Sequence, residues 1–179
     1  VLVLSGGGDF DDTTGNDRLN ECESIWNGID NLNGTFVKGG FIKDKTEDGW
    51  VNYVENKFDI SSYDAILTTP LLDSHFEHRI VNRIAYALIR VSKCGIITYR
   101  APSTLETWMP NYYVDLEDTT TSSGAYVKYV KLKALKKFTS QQNKSYFQTE
   151  SINSFHSNYI CSKSGITFCE QFKVERFIN

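Results

Sequence analysis

The sequence predicts an α/β domain with a mainly parallel sheet, and three observations lead to this prediction. Short apolar runs such as 1–4 and 96–99 alternate with stretches of helical periodicity over the first hundred residues. Glycine or proline follows several of these runs, as expected where strands meet loops. With 179 residues and 40% hydrophobic content, the chain can bury one core. We predict a single domain, with an α/β core over residues 1–135 and an extension over 136–179.

The first half of the chain supplies the alternation. A helix is predicted over 17–32, because Asp17 can cap it and apolar residues recur at steps of three and four. A second helix is predicted from Ser74, with Glu77 completing a capping box, to the basic and glycine residues at 93–95. Its apolar stripe is Phe76, Ile80, Ile84, Leu88 and Val91. Strands are predicted at 1–4, 35–37 with 41–42, 50–54, 63–69 and 96–99.

The second half has a different pattern. Aromatic and β-branched residues dominate 112–116 and 126–132, on either side of a polar turn at 118–124. This pattern predicts an antiparallel hairpin that closes the sheet. From Thr139 onward the chain is rich in Ser, Asn and Gln, and a β-rich C-terminal extension is expected there. Its short strand-like pieces are 146–147, 158–161, 166–169 and 172–177.

Composition limits the classes of partner. A net charge of −3 gives no global attraction to nucleic acid or to anionic membranes, so such contacts would need a local basic patch. No stretch has the 18 to 20 or so apolar residues of a membrane span, and the N-terminus lacks the layout of a signal peptide. We predict a cytoplasmic protein without membrane contact. Sequons at Asn33 and Asn143 and an even cysteine count leave secretion open.

Three stretches carry a resemblance to a known family: VLVLSGGGD at 1–9, FDISSYDAILTTP at 58–70 and CGIITY at 94–99. They resemble the first strand with its glycine loop, the fourth strand and the fifth strand of class I S-adenosylmethionine-dependent methyltransferases. The resemblance implies a Rossmann-like sheet that binds S-adenosylmethionine at the carboxyl ends of its strands. The ammonium of the cofactor would pair with Asp9 or Asp11. The cofactor-binding residues that it implies are Gly6, Gly7, Gly8, Asp9, Asp44, Asp59 and Thr68.

Within that family the layout is most similar to RNA ribose 2'-O-methyltransferases, including viral enzymes released from polyproteins. Their catalytic tetrad is lysine, aspartate, lysine and glutamate. Here the aspartate position holds Thr68 or Thr69, the second lysine position holds Arg100, and the glutamate position falls near Gly124. Arginine cannot act as a base and threonine carries no carboxylate.

Two functions therefore stay open on this resemblance. One is S-adenosylmethionine-dependent methyl transfer to RNA, with Asp73, Tyr99 and Arg100 as the residues around the reacting groups. The other is a catalytically inactive methyltransferase-like module that binds RNA or a protein partner. Binding of the cofactor would be common to both, and turnover would separate them.

A basic stretch at 126–133 offers a local site for RNA. Lys128, Lys131 and Lys133 alternate with apolar and aromatic residues, so a strand here would have one basic face for RNA phosphates. The alternative is an edge strand whose lysines prevent aggregation.

A third function belongs to another class of enzyme. Asp9 and Asp11 lie in the sequence DFDDT, which is similar to the DxDxT signature of haloacid-dehalogenase phosphatases. Asp115 or Asp118 would then share a magnesium ion, and Lys93 would supply the neutralising cation. The alternative is a solvated acidic loop.

Two further clusters contain metal-ligand types. Asp73, His75 and His78 open the second predicted helix, and His156, Cys161 and Cys169 lie near the C-terminus. For the first cluster we expect surface histidines near a crevice rather than a metal site. For the second we expect a Cys161–Cys169 disulfide, or two buried thiols, rather than zinc.

Overall fold

The computed structural model describes residues 2–3, 12–29, 34–90, 92–117, 124–157 and 165–176, and the description below is of these ranges. They contain mixed α/β structure. Along the chain the strands and helices are β1 (Leu2–Val3), α1 (Asp12–Asn27), β2 (Val37–Lys38), α2 (Glu47–Lys57), β3 (Ala65–Thr68), α3 (Phe76–Leu88), β4 (Gly95–Tyr99), β5 (Tyr112–Asp115), α4 (Gly124–Lys136), α5 (Thr149–His156) and β6 (Cys169–Arg176). The predicted α/β class is confirmed at this level.

The chain divides into two compact units. The first unit comprises residues 1–44 and 115–169, and the second comprises residues 45–114 and 170–179. The prediction of a single domain stays a prediction.

The second unit is organised around a four-stranded mixed sheet with the order β3-β4-β6-β5. β3 and β4 are parallel, in register from Ala65 opposite Gly95 to Thr68 opposite Thr98, and α3 lies between them in the chain. β6 runs antiparallel to β4. Gly95 is required where these strands meet, because a Cβ atom there would lie 2.9 Å from the Arg176 carbonyl oxygen. The predicted strands at 63–69 and 96–99 are thus confirmed.

The core of this unit lies between α3 and the parallel pair. Ala85, Ile89, Cys94 and Ile96 form one buried cluster. On α3 itself, the predicted stripe is buried at Ile84 and Leu88, whereas Phe76 is 46% exposed and Val91 lies outside the described residues. Ser74 is not the N-cap, because the helix begins at Phe76, and the Ser74 hydroxyl instead donates to the Ser103 carbonyl oxygen.

The predicted strand at 50–54 is wrong, because these residues lie in α2. Thr46 caps this helix by accepting a hydrogen bond from the Gly49 N–H at 3.1 Å. Acidic residues occupy its first turn and Lys57 its last, as the helix dipole favours. Trp50 and Val54 are buried one helical turn apart. The prediction followed the aromatic and β-branched composition of this stretch, which is typical of strands, and not this helical spacing.

The first unit contains a short parallel pair, with Leu2 opposite Val37 and Val3 opposite Lys38. α1 begins at Asp12, five residues before the predicted start, and ends at Asn27 rather than at 32. Of the second predicted strand only 37–38 is extended, and 42–44 forms a 3-10 turn. Glu21 on α1 ties the helix to the turn at 139–141 by accepting hydrogen bonds from the Ser140 N–H and hydroxyl.

The predicted closing hairpin is half right. β5 confirms its first strand, but residues 126–132 lie in α4, and the strand beside β5 is β6. Six described side chains of α4 are half-buried, among them Val130 and Ala134. The other four are Lys128 and, three, four and seven residues after it as on one helix face, Lys131, Leu132 and Leu135. Because two of these four are lysines, the helical periodicity is hidden in a hydropathy pattern.

The C-terminal extension is less β-rich than predicted. Residues 146–147 lie in a 3-10 turn, 149–156 form α5, and the predicted strand at 158–161 falls outside the described residues. Of the predicted piece at 166–169 only Cys169 lies in a strand, β6, and the described part of the piece at 172–177 lies in the same strand.

Candidate functional site at the carboxyl edge of the parallel pair

The loops that follow β3 and β4 are joined to each other. Asp73 and Thr104 form an antiparallel bridge. On one side of it the Ser74 N–H donates to the Ser103 carbonyl oxygen at 2.9 Å, and on the other the Leu105 N–H donates to the Leu72 carbonyl oxygen at 3.0 Å. The carboxyl ends of two parallel strands thus share one tied platform, at the edge where open α/β sheets bind ligands.

Asp73 is the buried centre of this platform, and its side chain has no exposed surface. Oδ1 accepts the His75 N–H at 2.8 Å, while Oδ2 lies 3.1 Å from His78 Nδ1 and 3.4 Å from the Thr104 hydroxyl. Burial acts to raise the pKa of Asp73, but the hydrogen bonds from His78, the His75 N–H and Ser103, together with the His78 charge, lower it below the ordinary value. Asp73 is therefore a buried carboxylate at neutral pH.

His78 is the more accessible partner, with 33% of its side chain exposed. The Ser103 hydroxyl lies 3.1 Å from Nδ1, the same ring nitrogen that faces Asp73. In a hydrolase triad the serine and the carboxylate lie on opposite ring nitrogens. Ser103, His78 and Asp73 thus form a cluster without the geometry that activates a serine nucleophile.

The backbone around His78 is also fixed. The Thr69 hydroxyl donates to the His78 carbonyl oxygen at 2.8 Å, and the buried Asn82 amide donates to the Thr69 carbonyl oxygen at 2.7 Å. The His75 ring lies 4.8 Å from the His78 ring, centroid to centroid. These contacts restrict the orientation of the imidazole before any ligand binds.

Tyr99 and Arg100, the other two predicted catalytic residues, lie at the end of β4. Burial raises the pKa of Tyr99, and the negative charge of Asp73 raises it further. Burial lowers the pKa of Arg100, although Glu106 raises it, and a guanidinium remains protonated in any case. Arg100 donates to the Gln171 side-chain oxygen at 3.4 Å. Asp73 and Tyr99 are thus electrostatically coupled, and Arg100 contacts the antiparallel strand.

Thr68 ends β3 and is 3% exposed, yet its hydroxyl oxygen has no hydrogen-bond partner among the described residues. Its register partner Thr98 is equally buried, but the Thr98 hydroxyl accepts from Trp108 Nε1 at 3.2 Å and donates to Glu175 at 3.3 Å. Buried hydroxyls are usually paired, so Thr68 is the exception of these two threonines.

The remaining predicted cofactor-binding residues have different outcomes. Gly6, Gly7, Gly8 and Asp9 lie outside the described residues. Asp44 lies in the first unit, where its side chain accepts the Phe41 N–H at 2.9 Å. Asp59 caps a 3-10 turn ahead of β3, at the opposite end of the strand from Thr68, beside a shallow depression of ≈ 470 Å³.

The predicted basic strand face is wrong, because Lys128, Lys131 and Lys133 lie on α4. At 100° per residue Lys133 points well away from the other two. Lys128 forms an ion pair with Glu117 and lies over the Phe168 ring at 4.3 Å. Burial lowers the pKa of Lys131 to about 8. The three lysines therefore do not form one strip for RNA phosphates.

The other predicted clusters have different outcomes. In the described part of the chain no three His, Cys, Asp or Glu side chains are placed to hold a metal ion, and this includes Asp73, His75 and His78. Cys169 is disulfide-bonded, so it is not a thiolate ligand for zinc, and Cys161 lies outside the described residues. The phosphatase residues Asp9, Asp11 and Asp118 also lie outside them.

Sequence reasoning missed Ser103 and Thr104, and it treated His78 as a surface residue. The available signal was local: Asp73 precedes a helix start, a position from which a carboxylate accepts an N–H two residues on. No local pattern links Asp73 to residues 30 positions away. Within the described ranges no helix is both long and apolar enough to cross a membrane. No protein-family model matches the chain, and no curated protein sequence matches it.

Proposed function

We propose that the chain is an S-adenosylmethionine-dependent methyltransferase that acts on RNA, with the methyl donor held at the carboxyl edge of β3 and β4. The strand–helix–strand unit β3-α3-β4 and the antiparallel β6 beside it support this, since both are similar to the end of the sheet in that family. The observation that carries the proposal is the buried hydroxyl of Thr68, which lacks a partner in the described part of the chain.

The chemistry of this edge fits a polar, adenosine-containing ligand. Leaving a buried hydroxyl unpaired costs about 1–3 kcal/mol, and a bound ribose or amino group can recover this by pairing with Thr68. When bound, the cofactor supplies the methyl group. The protein contributes orientation and exclusion of water, and the rigid platform around Asp73 provides both.

The choice of RNA as acceptor rests on the resemblance and on charge. Arg100 is half-buried and protonated beside the platform, and a guanidinium is suited to bind phosphate. The lysines of α4 do not add to this support, because they do not form one basic strip.

One observation favours a second candidate function, an inactive methyltransferase-like module that binds RNA or a protein partner. Neither Thr68 nor Arg100 can accept a proton at the positions where the resembled family has aspartate and lysine. In this case the carboxyl edge would bind the cofactor or its product without turnover.

The test is calorimetric titration of the full chain with S-adenosylmethionine and, separately, with S-adenosylhomocysteine. We expect micromolar binding, a loss of about tenfold or more in Thr68→Val, and affinity within threefold of the original in the matched control Thr68→Ser, which keeps the hydroxyl. No binding at millimolar ligand would refute the proposal. Binding without methyl transfer to an RNA panel would establish the second candidate instead.

A further inference from the structure

We propose that His78 is the proton acceptor of this site, acting through Nε2 on the hydroxyl group that receives the methyl group, and that Asp73 is its positioning residue. This inference rests on the proposed function and deepens it, since it assigns the residue that removes the proton from the methyl acceptor. The sequence offered Asp73 itself as the catalytic group, but its carboxylate is fully covered and occupied by protein donors.

The first step of the argument is the tautomer of His78. Nδ1 lies 3.1 Å from Asp73 Oδ2, and an ionised carboxylate can only accept hydrogen bonds. The proton of the neutral ring is therefore assigned to Nδ1, and the Ser103 hydroxyl can accept a share of it or donate to Asp73. The lone pair of the ring is then on Nε2, which is the atom needed to accept a proton.

The second step is access and electrostatics. One third of the His78 side chain is exposed, while the carboxylate behind it is not. The charged and titratable groups around the pair are Asp73 itself, His75 with its ring at 4.8 Å, Tyr99 through its coupling to Asp73, and Arg79, which donates to the Asp73 carbonyl oxygen at 2.8 Å. The buried negative charge of Asp73 lies beside Nδ1, so Nε2 is the ring nitrogen that remains for a substrate.

The third step is the balance of the reaction. The acceptor hydroxyl gives its proton to His78 Nε2 as its oxygen forms a bond to the methyl carbon. The bond between sulfur and that carbon breaks, and its electron pair stays on sulfur. The imidazolium then releases the proton to water. His78 thereby supplies the proton acceptor that Thr68 and Arg100 cannot supply.

The first measurement does not depend on activity. ¹⁵N–¹H correlation spectra of the imidazole in the full chain at pH 8 should show His78 with the proton on Nδ1. In Asp73→Asn, whose amide can donate to Nδ1, a substantial share of the ring should carry its proton on Nε2. A proton on Nε2 in the unsubstituted chain would overturn the role of His78.

The second measurement separates this role from the proposed function. In His78→Gln we expect cofactor affinity within threefold of the original, RNA methylation reduced about 100-fold, and loss of the acidic limb of the pH–rate profile. The matched surface variant Glu47→Gln should change neither quantity. Unimpaired methylation by His78→Gln would overturn the role while leaving the function intact. Absence of cofactor binding or of methylation in the unsubstituted chain would overturn both the activity and the role.

Discussion

Two charged side chains, the buried Asp73 and the half-buried Lys131, are treated in opposite ways. Asp73 in the second unit is surrounded by donors, and its pKa falls below the ordinary value although burial acts to raise it. Lys131 in the first unit is partly buried on α4, and burial alone lowers its pKa to about 8. In the first case the protein stabilises the ion, and in the second it penalises the ion. The fold therefore favours the ionised form of Asp73 and disfavours that of Lys131.

The charge of Asp73 is stabilised by several independent hydrogen-bond donors, which come from both loops of the platform. Such a group costs much free energy to desolvate, and it persists only where the donors recover that cost. The charge of Lys131 is disfavoured because the packing of α4 covers part of this long side chain. Substitution should therefore be costly at Asp73 and beneficial at Lys131.

The largest effect is expected for Asp73→Asn. Removing the charge leaves its donors mismatched, so the free energy of unfolding at pH 7 should fall by about 2–3 kcal/mol. Because the pKa of Asp73 in the folded protein lies below the ordinary aspartate value of 3.8, its contribution to stability is complete above pH 3.8. This contribution is lost as the pH falls through the folded pKa. Urea unfolding at pH 7 and near pH 3 checks both points. An equal loss in the exposed control Asp64→Asn would contradict the special status of Asp73.

The next prediction tests whether hydrogen bonding alone, without a charge, stabilises a buried polar group. Thr98→Val removes a hydroxyl that pairs with Trp108 and Glu175, and we expect a loss of about 1–2 kcal/mol. Thr68→Val is the matched control, since its hydroxyl is buried at the register partner position and has no partner in the described part of the chain. That variant should be neutral or slightly stabilising. Equal losses in the two variants, measured by thermal unfolding, would show that pairing is not the deciding factor.

Lys131→Met should stabilise the protein by about 1 kcal/mol at pH 7, because it removes a charge that burial disfavours. The folded pKa of about 8 lies below the ordinary lysine value of 10.5, so the cost of the lysine charge is complete below pH 8 and disappears as the pH rises to 10.5. The stabilities of the two proteins should therefore converge over that interval. Lys133→Met, an exposed change on the same helix, should have no such pH-dependent effect.

The smallest effect is expected at the surface. Glu47 accepts three hydrogen bonds from the Arg83 guanidinium, two from Nε and one from Nη2, and both side chains are close to half exposed. Hydrogen bonding to Arg83 lowers the pKa of Glu47, but solvent and salt screen such a pair. Glu47→Gln should cost about 0.5 kcal/mol or less, and the difference should vanish in 1 M salt. A loss of stability that does not depend on salt would show that this pair, like Asp73, is not screened by solvent.

Sequence patterns predicted the second unit better than the first, for physical reasons. β3 and β4 are apolar runs with clear ends, and α3 buries the periodic residues Ile84 and Leu88. In α4 the half-buried face includes Lys128 and Lys131, so the same residues fit an alternating strand when only hydropathy is considered. α2 was missed because Trp50 and Val54 have strand-like composition at helical spacing.

For the candidate site, the sequence identified the edge but not its chemistry. Asp73 and Tyr99 could be placed there because Asp73 follows one strand of the predicted parallel pair and Tyr99 ends the other. The contacts of His78 with Asp73 and Ser103 depend on how two loops meet, and local patterns carry no information about such a meeting. Thr68 was proposed from the resemblance, whereas its unpaired state is visible only in three dimensions.

The bridge between Asp73 and Thr104 limits how this sequence can diverge. It ties the loop after β3 to the loop after β4 at one register, so the lengths from β3 to Asp73 and from β4 to Thr104 are constrained together. It places no such demand on the identity of Leu71 and Leu72, which are 52% and 43% exposed. Descendants of this gene that keep the site should therefore preserve loop length while their residues at these two positions drift.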